Sequence, residues 1–178
     1  MPEETITTEE VLAQVPKADT ESKLPSPEER ITITEENKED FFKAFLSDQC
    51  FEEVVPMLHG KSKAKFRTLA VNENDLVFTQ IAFDQASGLA KNTDAYMVRV
   101  MQYRLAGSLL SIDDVPFCED ITPESHPANK ETYTTYLSER VKVLQKKQVF
   151  KLAAINDAFN RFEAKVAKLT EETFKGNF

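Results

Sequence analysis

Glycine is scarce in this chain. Only four glycines occur among the 178 residues, and they lie far apart, at Gly60, Gly88, Gly107 and Gly176. Loops that cradle a phosphate need clustered glycines, because the backbone amides must approach the anion closely. No such loop can form here, and the sequence has no serine nucleophile elbow either. These absences argue against a nucleotide-binding enzyme and against a serine hydrolase.

Histidine and cysteine occur only twice each, and tryptophan is absent. Neither His59 nor His126 has a Cys, His or carboxylate at metal-ligand spacing on a helix. We expect Cys50 and Cys118 to be free thiols, although their even number leaves a disulfide open. A nucleophilic pair of Cys118 and His126 would require loops to bring the two together, and nothing in the sequence activates them.

The densest group of carboxylates outside the N-terminal segment consists of Asp113, Asp114, Glu119, Asp120 and Glu124. Two carboxylates can share acid and base roles or hold a divalent cation. The group lacks the residue order of an EF-hand and contains no glycine. We expect a solvated turn, with a divalent-cation site as the alternative. The sequence therefore predicts no enzyme, no catalytic residue, no metal and no cofactor.

Long apolar runs are also missing. No stretch approaches the ~18 consecutive apolar residues of a membrane span. The first residues, MPEETITTEEVLAQ, are acidic and have no apolar centre, which is not typical of a secretory signal. We therefore expect a protein made in the cytoplasm that does not contact a membrane.

Negative charge is concentrated at the start of the chain. Residues 1–40 hold 12 acidic and 4 basic side chains, whereas residues 41–178 hold 18 of each, so the net charge of −8 lies entirely in the first segment. This distribution argues against nucleic acid as a partner, because binding phosphates needs a basic surface. Residues 1–30 are also rich in proline and poor in apolar residues, which predicts a flexible arm. The arm is either a passive tail or a segment that becomes ordered on a neighbour.

The remaining chain predicts an α+β fold, mostly helical, with a small antiparallel hairpin packed on a helical bundle and a long C-terminal helix or helix hairpin. We divide it into an acidic flexible arm (residues 1–36), a core of hairpin and helices (37–129) and a C-terminal helical segment (130–178). The strand-like runs are Phe51–Met57 and Lys63–Leu69, and Pro56 favours an edge position for the first. A further short strand is expected at residues 31–34, and a proline-bearing loop at residues 120–129.

Three helices before the C-terminal segment are each expected to begin at an asparagine. Asn37 would cap a helix over residues 37–46, with Phe41, Phe42 and Phe45 on one side. Asn72 or Asn74 would cap a second helix that ends near residue 86, and Asn92 would cap a third over roughly residues 93–110.

The third helix carries an apolar stripe of Met97, Met101, Leu105 and Leu109, and Gly107 with Ser108 would allow close helix packing there. Residues 111–117 follow as a short extended turn, in which Ile112, Val115 and Phe117 are expected to face the core.

Four basic side chains alternate along the second predicted strand: Lys61, Lys63, Lys65 and Arg67. Because side chains in a strand alternate between its two faces, these four are expected on one face. The face is either simply solvated or a basic strip that binds an acidic segment, such as the arm of a neighbouring copy.

The strongest pattern lies in the C-terminal third. Apolar residues recur there every three or four positions, typical of a coiled-coil seam: Leu137, Val141, Leu144, Leu152, Ile155, Phe159, Phe162, Val166 and Leu169. An extra four-residue step across Gln148 interrupts the seam. An unbroken helix here would be ~60 Å long, so we expect it to fold back near Gln148 or to project toward a partner. The distal residues, Ile155 to Leu169, either belong to the chain's own core or bind another chain.

Three segments carry a resemblance to a known group of proteins. They read KFRTLAVNENDLVF, YRLAGSLLSIDDVPF and FEAKVAKLT, and together they span roughly residues 63–172. Their succession resembles small assembly proteins of tailed bacteriophages, of the baseplate-hub and tail-assembly-chaperone type. The matching positions are Phe66–Leu69, Glu73–Phe83, Tyr103–Phe117 and Phe162–Leu169.

This resemblance implies a non-enzymatic structural or assembly protein of a phage tail, baseplate or neck. Its partners would be other phage structural proteins or copies of itself, without nucleic acid, membrane or small-molecule substrate. The protein would be part of the virion. The alternative is a cytosolic assembly chaperone or adaptor that is absent from the mature particle.

Overall fold

The computed structural model describes residues 32–118 and 130–175. Most of the predicted arm and the proline-bearing loop at residues 120–129 therefore lie outside the described residues. The strand predicted at residues 31–34 does not form at the described positions 32–34. Thr34 instead lies immediately before the first helix and caps it.

Five α-helices and one four-stranded antiparallel sheet make up the described residues, which confirms the predicted mostly helical α+β fold. The helices are α1 (Glu35–Leu46), α2 (Val71–Ala86), α3 (Thr93–Ser108), α4 (Lys130–Gln145) and α5 (Val149–Lys175). The strands are β1 (Glu52–Met57), β2 (Ser62–Arg67), β3 (Leu109–Ile112) and β4 (Val115–Pro116), in this spatial order.

Strands β1 and β2 form the predicted hairpin, in the register Val54 opposite Lys65. Pro56 lies in the edge strand β1, as expected for a residue that cannot donate a backbone hydrogen bond to a neighbouring strand. The connecting turn needs the left-handed backbone region, with φ of +82° at Gly60 and +56° at His59. Glycine adopts this region without steric cost, which explains its presence in the turn.

Helix starts were only partly predictable from the sequence. Asn92 caps α3 as expected, since its Oδ1 accepts a hydrogen bond from the Ala95 amide at 2.8 Å. The prediction that Asn37 caps α1 is wrong, because Thr34 Oγ1 accepts from the Asn37 amide at 3.2 Å. The prediction of Asn72 or Asn74 as the cap of α2 is also wrong. The N-cap there is Ala70, whose amide donates to the Glu73 carboxylate at 2.9 Å.

Phenylalanine rings join α5 to the inner face of the sheet. The Phe66 ring in β2 lies 5.6 Å, between centroids, from both Phe159 and Phe162 in α5. Phe51, just before β1, stacks on Phe162 at 6.3 Å. Offset and edge-on ring pairs at such distances add to the burial free energy. A chain with thirteen phenylalanines and no tryptophan builds the centre of its core from them.

Helices α2, α3 and α4 pack on one another beside the sheet. The predicted close helix contact at Gly107 is confirmed. A Cβ built at Gly107 would lie 2.9 Å from Leu69 Cδ2 and 3.1 Å from the Tyr133 hydroxyl. The α3 stripe was predicted only in part: Leu105 is buried, but Met97 is 58% exposed.

The turn between β3 and β4 was also predicted only in part. Phe117 is buried and Ile112 is half-buried, as expected for residues that face the core. Val115 was expected to face the core as well, but its side chain is exposed.

The long C-terminal helix is broken at residues 146–148, between α4 and α5, close to the predicted interruption at Gln148. Helix α4 packs with α2 and α3, whereas α5 packs on β1 and β2. Because of the break, the apolar residues of α4 and those of α5 pack against different parts of the chain, although they form one nearly continuous pattern in the sequence. A single ~60 Å helix does not form.

Candidate functional site

The predicted basic strip on β2 is not a free cationic surface. Lys63 Nζ lies 2.7 Å from an Asp114 carboxylate oxygen, and Lys65 Nζ lies 2.5 Å from Glu52. Lys61 is exposed in the hairpin turn rather than in the strand. These two lysines therefore already have acidic partners within the chain.

Arg67 corrects the strip prediction most clearly, because its side chain is only 6% exposed. Its guanidinium donates two hydrogen bonds to the Glu73 carboxylate, at 2.6 and 2.8 Å, and lies 3.3 Å from Cys50 Sγ. Burial alone lowers the pKa of Arg67, but the hydrogen bonds and charge of Glu73 outweigh it and leave the pKa raised. The ladder between β2 and β3 shifts register between Lys65 and Phe66, a break in the regular pairing that alternation along the sequence did not predict.

The distal seam belongs to the chain's own core. Ile155, Phe159, Phe162 and Leu169 are buried, and Val166 is half-buried against them. The four buried side chains lie inside the chain and offer no surface to a partner in this fold, so the structure supports the first alternative, the chain's own core. It gives no support to the hypothesis that these positions bind another chain.

The carboxylates of the β3–β4 turn cap backbone and hydroxyl groups. Asp113 accepts a hydrogen bond from the Lys63 amide at 2.8 Å and from the Ser62 hydroxyl at 2.9 Å. These bonds, the amide bond first, lower the pKa of Asp113. Across residues 32–118 and 130–175, no three His, Cys, Asp or Glu residues are grouped as metal ligands would be. Asp113 and Asp114, the two described members of the carboxylate group, lie in an exposed turn.

The structure does not activate Cys118, the cysteine considered as a nucleophile. Cys50 and Cys118 are both free. Burial raises the pKa of the Cys118 thiol, which disfavours the reactive thiolate. His59 is exposed in the hairpin turn, whereas His126 lies outside the described residues. The same is true of Glu119, Asp120 and Glu124.

A buried arginine on α4 was missed by the sequence reasoning. The Arg140 guanidinium donates to the backbone oxygens of Ala106, at 2.5 Å, and Leu109. It also lies 4.8 Å from the centre of the Phe117 ring and 4.9 Å from that of Tyr136. Burial lowers the pKa of Arg140. These contacts tie α4 to the end of α3, so we assign Arg140 a structural role.

An exposed aromatic surface lies between α1 and the end of α5. We call it the aromatic surface, and it consists of Phe42, Phe45, Leu46 and Phe174. The Phe45 and Phe174 rings meet edge to face, with centroids 5.8 Å apart. Phe41, Phe42 and Phe45 were predicted on one side of α1, but only Phe41 is buried.

Charged side chains of both signs border the aromatic surface. A groove of about 620 Å³ next to Phe42 is lined by Lys38, Glu39, Glu172, Thr173 and Lys175. Lys38 Nζ lies 3.3 Å from the Glu172 carboxylate, which links α1 to α5 across this groove. An apolar centre with a polar rim is the usual composition of a protein interface.

A second exposed surface lies at the turn between α4 and α5. We call it the turn surface, and it consists of Lys146, Lys147, Val149, Phe150 and Lys151. Val149 is 86% exposed and Phe150 is 65% exposed, although both are large and apolar. The surface thus combines cations with exposed apolar side chains.

Within the described ranges, no helix is long and apolar enough to cross a membrane. Comparisons with protein-family models, with curated proteins and with solved structures find no match to this chain. Its function must therefore be argued from its own surfaces and chemistry.

Proposed function

We propose that this chain is a non-enzymatic structural or assembly protein of a tailed bacteriophage, located in the tail, baseplate or neck. It acts through contacts with other virion proteins or with copies of itself. The sequence resemblance over residues 63–172 suggests the phage setting. The aromatic surface is the observation that carries the proposed mode of action.

Exposed aromatic side chains that touch one another are unusual on a protein that works alone. Phe45 is 50% exposed and its ring meets Phe174, while Phe42 lines the groove beside them. Large contiguous apolar patches on soluble proteins commonly mark protein-binding sites. Aromatic residues also supply much of the binding energy at interface centres. We therefore assign the contact function to this surface.

A second copy of the chain is the occupant that fits the rim. Lysines and carboxylates alternate around the apolar centre: Lys38, Lys43 and Lys175 with Glu39, Asp40 and Glu172. In a two-fold interface the same patch faces itself, so it must be complementary to its own charges. A rim with both signs meets this condition, whereas a rim of one sign would repel its copy.

The alternative function is an assembly chaperone or adaptor that is absent from the finished particle. Such a protein would use the same surfaces but would leave before the particle matures. The two functions differ in one measurable quantity, the amount of this chain in purified particles relative to the infected cell.

Quantitative mass spectrometry of particles made by the genome that encodes this chain tests the proposal. A structural component is expected at a fixed copy number relative to the other virion proteins. Abundance in the cell together with absence from the particles would favour the chaperone. If the genome makes no particle, or if deletion of the chain leaves particle yield and composition unchanged, the proposed function is wrong.

A further inference from the structure

The turn surface carries three lysines that form no ion pair with a described carboxylate. Lys146, Lys147 and Lys151 lie within six consecutive residues that contain no acidic side chain. Among the side chains that the structure describes, no carboxylate lies at ion-pairing distance from any of the three. Lys147 instead lies 5.9 Å from the centre of the Phe117 ring. The charge of Lys151 contributes to lowering the pKa of Asp113, although the two groups form no ion pair. The turn surface therefore has no ion-pair partner within the described part of the chain.

The start of α5 adds to this positive field. The first turn of α5 contains no acidic residue, although acidic groups are favoured at the positive end of a helix. Lys151 lies in that turn and repels the helix dipole rather than compensating it. A negatively charged segment that lies across Gln148 and Val149 would stabilise both the three lysines and the positive end of the α5 dipole.

The N-terminal segment has the matching chemistry. Residues 1–31 hold eight acidic and three basic side chains, a net charge of −5. Three of their few apolar residues, Val11, Leu12 and Val15, lie within the five residues after Glu9 and Glu10. The segment at residues 9–15 thus offers carboxylates for the lysines and apolar side chains for the exposed Val149 and Phe150.

The segment can also reach the turn surface of its own chain. Thr32, the first described residue, lines the same cleft as Arg161 and Phe162 of α5. Lys151 precedes Arg161 by ten residues, which is about 15 Å along a helix. Residues 16–31 span up to roughly 50 Å when extended. A tethered segment that can reach its site acts at an effective concentration in the millimolar range, which favours its own chain over a neighbour.

We propose that residues 9–15 of the N-terminal segment dock on the turn surface of the same chain. Carboxylates of Glu9 and Glu10 face the lysines, and Val11, Leu12 and Val15 cover Val149 and Phe150. In the free protein, the segment is therefore bound to its own chain. This inference goes beyond the proposed function, because a docked segment does not depend on whether the protein enters a virion.

Cleavage of the full-length chain by trypsin after Lys17 and Lys23 tests the docking. The double variant Lys146→Glu/Lys151→Glu should be cleaved at these sites about tenfold faster than the wild type at low salt, because two attractive contacts become repulsive. The matched control is Lys91→Glu/Lys168→Glu, which changes the net charge equally at two exposed lysines elsewhere. The control should be cleaved at the wild-type rate.

A charge exchange makes the test specific. Glu9→Lys/Glu10→Lys should also accelerate cleavage, and combining it with Lys146→Glu/Lys151→Glu should restore most of the protection. Val149→Ser/Phe150→Ser should accelerate cleavage with less dependence on salt, because it removes apolar contacts. Both side chains are exposed, so this variant tests docking without disturbing the core.

Two results would overturn the proposal. Equal cleavage rates for the wild type, the turn variant and the control would mean that the segment does not dock there. Protection that grows with protein concentration would mean that the segment docks on a second copy instead. Protection that is constant over a hundredfold range of concentration, together with the charge-exchange rescue, is the result that we expect.

Discussion

Arg67 and Glu73 form a buried ion pair that joins the end of β2 to the first turn of α2. Two hydrogen bonds of 2.6 and 2.8 Å connect the guanidinium to the carboxylate. The same carboxylate accepts the Ala70 amide at 2.9 Å. One glutamate therefore both satisfies a free amide at the helix start and neutralises a buried cation. This one carboxylate therefore links the start of α2 to the sheet.

Glu73→Ala should lower the free energy of unfolding by about 3–5 kcal/mol, because it leaves the Arg67 cation buried and unpaired. Chemical denaturation measures this loss. The exposed pair of Lys65 and Glu52 provides the control, since Glu52→Ala should cost at most ~1 kcal/mol. Equal costs for the two glutamates would show that the buried pair does not fix α2.

Gly107→Ala should destabilise the protein by about 1–3 kcal/mol, because the added methyl group overpacks a close helix contact. The new Cβ would lie 2.9 Å from Leu69 Cδ2 and 3.1 Å from the Tyr133 hydroxyl. Adding Leu69→Ala should recover part of this loss by making room for the methyl group. If the two substitutions were simply additive, the clash with Leu69 would not be its cause.

Local patterns predicted the fold well wherever one physical rule decided the outcome. The proline of the edge strand, the Asn92 cap and the helix contact at Gly107 each follow from the chemistry of one residue. The interruption near Gln148 followed from the spacing of apolar residues alone. Each of these features is marked by the chemistry or the spacing of residues in one short segment, even where the contact itself is made with a distant residue, and so the sequence suffices to predict it.

Features that depend on distant residues were missed. Alternation placed Arg67 with the lysines of β2, but its partner Glu73 lies in the next helix. Phe42 and Phe45 resembled core residues, and only the packing of α1 against α5 determines that they stay exposed. Nothing near Arg140 in sequence indicates that it binds the backbone of residues 106 and 109. Both the error in the basic strip and the exposed aromatic surface arise from tertiary contacts.

Phe162→Asp should unfold the isolated chain, because the Phe162 side chain is only 1% exposed and contacts the rings of Phe51 and Phe66. A buried, unpaired carboxylate costs several kcal/mol, in addition to the ~3–5 kcal/mol for loss of a core phenylalanine. Phe83→Asp at an exposed position of α2 should change stability by at most about 1 kcal/mol. Circular dichroism and denaturation distinguish the two, and a folded Phe162→Asp chain would contradict the core assignment.

Tyr103 makes the stability of the protein sensitive to alkaline pH. Burial and its hydrogen bond to Asp84 raise the pKa of Tyr103 from 10.0 to about 12. A group whose pKa is raised by folding binds its proton more tightly in the folded state, so this stability is fully present below pH 10 and is lost as the pH rises toward 12. Denaturation midpoints should therefore fall across this range.

Tyr103→Phe should flatten this alkaline decline, because the phenylalanine has no proton to lose. Below pH 10 it should also cost about 1–3 kcal/mol, since the buried Asp84 carboxylate loses a donor at 3.0 Å. Tyr96→Phe is the control, because Tyr96 is only partly buried. An unchanged pH profile in Tyr103→Phe would show that other groups cause the decline.

Phe45→Glu should weaken self-association if the aromatic surface binds a second copy. The new carboxylate would lie in the apolar centre of the interface and would face its own symmetry mate, so repulsion adds to the lost contact. Sedimentation of the wild type should show a dimer, and Phe45→Glu should raise its dissociation constant at least about tenfold. Phe45 is 50% exposed, so the variant should remain folded.

Phe83→Glu provides the matched control, because Phe83 is 67% exposed and lies on α2, away from α1 and α5. It introduces the same charge and removes the same ring, so any general effect of that exchange should appear in both variants. Weaker association in Phe45→Glu alone would assign the contact to the aromatic surface. Equal weakening in both, or a wild type that stays monomeric at about 100 µM, where interfaces of micromolar affinity would be occupied, would contradict a second copy as its occupant.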